Sequence, residues 1–317
     1  MDKQMSLSAL SDELAQVRTK KKEFLTQMDR IIPWGEWIAL IRPCYYKGER
    51  GNKPYDLERM LRIYMIQNLY NLSDMATVAE VIDSRAFSDF CGVESSNQVP
   101  DGDTLGQFRN LLIKNGLQEK LFAQVVELLT KRGLILKKGT IVDSTFIEAP
   151  SSTKNKDKKR DPEMHSTKKN TKWYFGMRVH VGADPYYGFV HDIISTPANE
   201  AECKIAPKLL RKDDVVVYGD AGYLKMENYV TDGVEREYKI NRQRGTFKRH
   251  YGDSLSWQYE KEIEKRKSSV RCKVEYVFHI VKDIFRWRKL RYKGLHKNNC
   301  HANLLFACAN IYMLAMG

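Results

Sequence analysis

The apolar residues change their period near residue 136, and that change divides what the chain can fold into. Before it, Leu57, Leu61, Tyr64, Asn68 and Leu69 recur at three- and four-residue steps, as do Phe122, Val125, Val126 and Leu129. Such spacing places a stripe on one side of a helix. Pro100 interrupts the region, and Asp101 or Asp103 is expected to cap a helix starting near Thr104. Asn115-Gly116 makes a tight break before a second helix that closes at Gly133. Two helices around a short glycine turn are compatible with a helix-turn-helix DNA reader and equally with an ordinary helical bundle.

After residue 136 the signal is that of strands. Gly139 to Ile147 is β-branched and alternating; Trp173 to Val181 and Tyr187 to Ser195 read as a hairpin around Asp184-Pro185. Asn199 to Arg211 is helical in pattern, Asp214 to Tyr218 is a short buried strand, and Arg236 to Asn241 is one more. Glu262 to Arg286 predicts a long helix and Asn303 to Leu314 another. The expectation is an all-α N-terminal domain over 1–136, followed by an α/β domain over 137–317 with helices around a mixed sheet.

Composition adds the partner. The 317 residues carry 53 Lys and Arg against 40 Asp and Glu, a net charge of +13, which favours an anionic surface such as nucleic acid or membrane. No apolar run reaches the roughly 18 residues of a membrane span, and the acidic N-terminus has no signal-peptide core, so a soluble cytoplasmic protein is expected. Six scattered cysteines without a CxxC pair read as reduced thiols. Residues 151–172 hold eight basic residues and three acids with almost nothing apolar. Lys154, Lys156, Lys158, Lys159 and Arg160 are therefore candidate DNA-phosphate contacts on a solvated loop. Trp173 and Trp257 are read as core residues, with base stacking as the alternative.

Three carboxylates stand out. Asp143 lies inside an apolar strand, where a lone charge is expensive unless it is paired or bound to metal. Asp220 ends the next apolar run and is flanked by Gly219 and Gly222, which leave room for a ligand. On the long helix, Val270, Val274, Val277, Phe278, Val281, Ile284 and Phe285 form an apolar stripe. Arg271, Glu275 and Lys282 share a narrow sector beside it. Taken singly, these are also what strand caps and helix-surface ion pairs look like. Together, carboxylates from two strands and a helix suit hard cations, Mg²⁺ foremost with Mn²⁺ as a substitute. Two such ions about 4 Å apart serve in-line phosphoryl transfer.

The same residues resemble a known signature. In insertion-sequence DDE transposases a tyrosine, two residues, an arginine, three residues, a glutamate, six residues and a lysine follow one another. Arg271, Glu275 and Lys282 match that spacing, with Ser268 at the tyrosine position. Thr140-Ile-Val-Asp-Ser-Thr, Asp161-Pro-Glu-Met-His, Trp173-Tyr-Phe-Gly-Met, Gly219-Asp-Ala-Gly-Tyr and Arg291-Tyr-Lys-Gly-Leu are similar to the fifth insertion-sequence family, from about residue 25 to the C-terminus. The resemblance implies an RNase H-like domain and a prokaryotic, nucleoid-associated enzyme. It implies cleavage at the inverted repeats of a transposon dependent on two Mg²⁺ ions, strand transfer into target DNA, and at least a dimer on DNA. Asp143, Asp220 and Glu275 then correspond to the catalytic, metal-binding triad, with Arg271 and Lys282 as DNA contacts. A nuclease that only hydrolyses, and a non-catalytic DNA-binding derivative, are the competing readings.

Overall fold

The computed structural model describes residues 19–46, 48, 53–154, 156, 158–169, 171–243, 245 and 255–316. The N-terminal half is helical, as its periodicity requires. Helices α1 (Lys20–Ile31), α2 (Trp34–Ile41), α3 (Leu57–Leu69), α4 (Asp74–Asp83), α5 (Arg85–Cys91), α6 (Gly102–Lys114) and α7 (Leu117–Lys131) follow one another in the chain. Thr19, Asp56, Ser73 and Asp101 each cap a helix by accepting a hydrogen bond from a backbone N–H of its first turn. The expected break at Asn115-Gly116 is present, and Gly116 takes a left-handed conformation (φ +58°) that glycine adopts without strain. Asp74 ties three of these helices together, accepting from both Arg109 guanidinium nitrogens (2.6 and 3.0 Å) and from Gln67 Nε2 (2.6 Å).

The second half is a six-stranded sheet: β1 (Thr140–Glu148), β2 (His165–Lys169), β3 (Lys172–Ala183), β4 (Val190–Pro197), β5 (Val216–Gly219) and β6 (Glu237–Ile240). The order is β2-β3-β1-β5-β6, with β4 also on β3. β1 pairs antiparallel with β3 and parallel with β5, so the sheet is mixed. The residues placed in a loop at 151–172 are in part this sheet, because His165 to Lys169 folds back on Lys172 to Gly176 as a hairpin. Its polar sequence, HSTKK, hides the strand from any reading based on apolar alternation.

The expected helix at 199–211 is shorter, α8 (Glu202–Ile205) followed by a 3₁₀ turn over Ala206–Leu209. The long helix α9 runs Leu255–His279, and then Ile280–Ile284 form a π turn. The five-residue turn lets Ile280 and Phe285 both face inward, with Phe285 N donating to Ile280 O at 2.8 Å. An ideal α-helix continued to Arg286 would have rotated one of them outward.

Helix α10 (Leu295–Met316) is buried from Cys300 to Ile311 and packs on α7, α1 and β4. One apolar cluster runs from Leu25 through α10 to the inner face of the sheet, and a smaller one lies under the other face, around Val142, Leu209 and Tyr223. No helix among the described residues is long and apolar enough to cross a membrane, and all six cysteines are free.

Asn310, fully buried in α10, extends the sheet by one amide. Its Oδ1 accepts from Val190 N (3.0 Å) and its Nδ2 donates to Val190 O (2.7 Å). Asn310→Ala leaves both backbone groups unpaired, at about 1–3 kcal/mol each. The expected loss is therefore about 2–5 kcal/mol in a denaturant titration, and a change under about 1 kcal/mol would show that this seal contributes little.

Candidate functional site

The site begins with a register. Asp214, wholly buried before β5, accepts hydrogen bonds from Thr140 Oγ1 (2.6 Å) at the start of β1 and from Arg211 N (2.8 Å). That clamp fixes the parallel pairing Thr140↔Val217 and Ile141↔Tyr218. Continuing it two residues sets Asp143 abreast of Asp220, where β5 has just ended. The carboxyl end of β5, where sheets of this kind present ligand groups, thus meets the middle of β1.

Asp143 is 9% exposed and faces α9, on the same side of the sheet as Ile141 and Ile147. Its Oδ1 accepts from Ser144 N (2.8 Å) and its Oδ2 from Arg271 Nη1 (3.0 Å). Arg271 reaches Glu275 Oε1 through its other terminal nitrogen at 2.9 Å, one turn along α9. Glu275 is more than half exposed. Asp220 Oδ1 accepts from Gly222 N (2.8 Å) and so caps the 3₁₀ turn Ala221–Tyr223.

The electrostatics follow from burial. Loss of water pushes the Asp143 carboxyl up to about 6, and the nearby Asp220 charge adds to that; the Ser144 N–H and Arg271 pull against it. Tyr223 is pushed well above its ordinary range by burial, then by the charges of Asp143, Glu202 and Asp220.

Glu202 is the residue that the sequence reading missed. Its Oε1 accepts from Ser144 Oγ and from Arg178 Nη1. Its Oε2 lies 2.9 Å from where a Cβ on Gly222 would stand, and Asp220 Oδ1 lies 3.0 Å from the same point. Glycine at 222 therefore keeps open a space bordered by two carboxylates. No local pattern flags Glu202, because its partner Ser144 is 58 positions away.

A cavity of about 630 Å³ opens beside Asp220 and Arg271, walled by Trp257, Lys261, Lys265 and Ser268. Ser268, at the signature tyrosine position, accepts a hydrogen bond from Asn241 Nδ2 at 3.2 Å. Trp257 is half-buried in that wall, whereas Trp173 is 69% exposed and is not the core residue expected of it. It stands beyond the end of β1, where β3 loses that neighbour. Lys282 is half-buried on the π turn. Lys154, Lys156, Lys158, Lys159 and Arg160 line an exposed stretch that returns to the sheet where Arg160 lies 5.2 Å over the Phe175 ring.

Among the described residues, no three carboxylate, imidazole or thiol groups stand close enough to share a metal ion. The guanidinium of Arg271 bridges Asp143 and Glu275 instead. The donors nevertheless suit a divalent cation: all are oxygens, one is buried beside a like charge, and the opening at Gly222 is lined by two more.

Two family models match the chain. The Transposase DDE domain covers residues 136–311, and the Transposase domain (DUF772) covers residues 12–111. No solved structure matches it. The mixed sheet with its flanking helices is accordingly RNase H-like, preceded by a helical region.

Because its folded value is raised, Asp143 stabilises the fold below about pH 4 and loses that contribution as pH rises through about 6. In EDTA, the melting temperature of the parent is expected to fall between pH 4 and 7 relative to that of Asp143→Asn. Parallel profiles for the two proteins would show that Asp143 is not held in this way.

Proposed function

Since the chain belongs to the DDE transposases of insertion sequences, acting on DNA, we propose that it cuts DNA at the ends of its element and joins the freed ends to target DNA. Asp143, Asp220 and Glu275 are the proposed catalytic and metal-binding triad. The observation that carries this is the pairing of β1 with β5, which sets Asp143 abreast of Asp220 under the helix face bearing Arg271 and Glu275. Two Mg²⁺ ions on these carboxylates would supply an activated water or 3′-hydroxyl and charge neutralisation at the leaving oxygen. Cleavage forms a bond from a water oxygen to phosphorus and breaks the P–O3′ bond. Joining repeats the exchange with the freed 3′-hydroxyl as nucleophile.

The protein's own groups provide the setting. Asp143 sits on a strand and Glu275 on a helix, supports stiff enough to hold reacting oxygens in line. Arg271 carries a charge suited to the non-bridging phosphate oxygens once its present partners bind elsewhere. Lys282 and the basic stretch from Lys154 to Arg160 are proposed DNA contacts. We assign residues 1–136 to DNA binding and 137–317 to catalysis, with two or more copies assembling on paired ends.

Asp143→Asn, Asp220→Asn and Glu275→Gln are each expected to lower cleavage by about 10³-fold or more while DNA affinity stays within about threefold. The assay uses DNA carrying the ends that flank the gene, with Mg²⁺ and with EDTA. Joined products in Mg²⁺ support the transposase reading, and hydrolysis without joining indicates a plain nuclease. Tight binding with no cleavage under any metal would leave a DNA-binding derivative and overturn the catalytic assignment.

A further inference from the structure

The β2–β3 hairpin has no role in the site, yet it carries the most exposed tryptophan side chain among the described residues. Trp173 pairs directly with Lys168 across the hairpin, and the lysine Nζ stands 6.0 Å from the ring centroid. Residues of β3 two apart share a face, so Trp173 and Phe175 lie on one side, with Lys168 beside them and Arg160 laid over Phe175. Lys172, also exposed, stands at the turn. The basic stretch is thus pinned to the hairpin, and Arg160 and Lys168 flank the uncovered indole on one face, while Lys172 belongs to the opposite face.

An edge hairpin does use lysines to discourage pairing with other chains. That accounts for Lys168 and leaves the exposed indole without a purpose, since a bare aromatic on an edge invites association. A ligand that is both anionic and able to pack on a flat ring accounts for both.

The position is informative. Asp143 pairs with Val181, and counting back along β3 in steps of two from Val181 reaches Trp173 on the face that Asp143 occupies. The hairpin turn at Lys172 is nine residues from Val181, about 30 Å at roughly 3.3 Å per strand residue. At about 3.4 Å per base pair, that equals about nine base pairs of duplex. A two-stranded ribbon also has the width that the major groove admits.

We propose that the β2–β3 hairpin is a docking surface for duplex DNA about one helical turn from the scissile phosphate. Lys168 and Arg160 neutralise phosphates there, and the Trp173 ring packs on the groove wall. This rests on the reading of Asp143 as the cleavage centre only for the distance; the surface itself stands on charge and exposure.

The test measures binding of a random-sequence duplex of about 30 base pairs by fluorescence anisotropy across a salt series, without divalent metal. The double variant Arg160→Ala/Lys168→Ala is expected to reduce the slope of log K against log salt by about 2, since each lost phosphate contact removes about 0.9. Trp173→Ala should weaken binding about fivefold with the slope unchanged, through loss of its apolar contact with the groove wall, and Trp173→Phe should restore most of it. All three side chains are exposed, so the variants should keep the parent's melting temperature. Parental affinity and slope in both alanine variants would overturn the inference. A parent that binds through the hairpin but never cuts DNA would remove the proposed activity and leave this surface standing. A parent that cuts, with alanine variants that bind unchanged, would do the reverse.

Discussion

Asp143 occupies the middle of a strand between buried Ile141 and Thr145 on its own face, and removing its charge from water costs several kcal/mol if nothing compensates. Much of the surrounding architecture supplies that compensation. The Ser144 N–H and the Arg271 guanidinium meet its two oxygens. Arg271 can do so only because α9 lies across the sheet with Val274 and Val277 buried beneath it. The Asp214 clamp at the other end of β1 fixes which residue of β5 becomes its neighbour. A shift of one residue in that pairing would turn the aspartates to opposite faces.

What could be read from the sequence was whatever depends on local periodicity. The change at residue 136, strand β1, the helix carrying Glu275 and its buried stripe as far as Val277 all follow from residues within a few positions of one another. Both aspartates were visible because each interrupts an apolar run. The features that escaped depend on distant partners. Strand β2 is polar on both sides and exists because β3 offers it an edge. The π turn depends on which side chains the core accepts, and Glu202, on α8, depends on Ser144 of β1 and Arg178 of β3. The exposure of Trp173 needed knowledge of where β1 stops.

Position 268 shows how the two kinds of information combine. The signature predicts an aromatic where serine stands, and the structure shows that residue on the wall of the cavity beside Asp220. Trp257 supplies an aromatic surface to the same cavity from about three turns earlier on α9, and Lys261 and Lys265 supply charge. The chain thus furnishes that region with an aromatic ring and cations through a different set of residues.

Helix α10 contributes none of the proposed catalytic groups and is nonetheless inserted between the helical region and the sheet, touching α1, α7 and β4 and completing the edge at Val190. Its consequence concerns chain order. A chain cut between Glu275 and Leu295 keeps all three acids but lacks the wedge that closes the main core. Such a fragment exposes the apolar faces of two layers, the kind of surface by which cells recognise and degrade unfolded chains. Helix α10 thereby makes the core around the acids depend on a segment that lies after all of them in the chain.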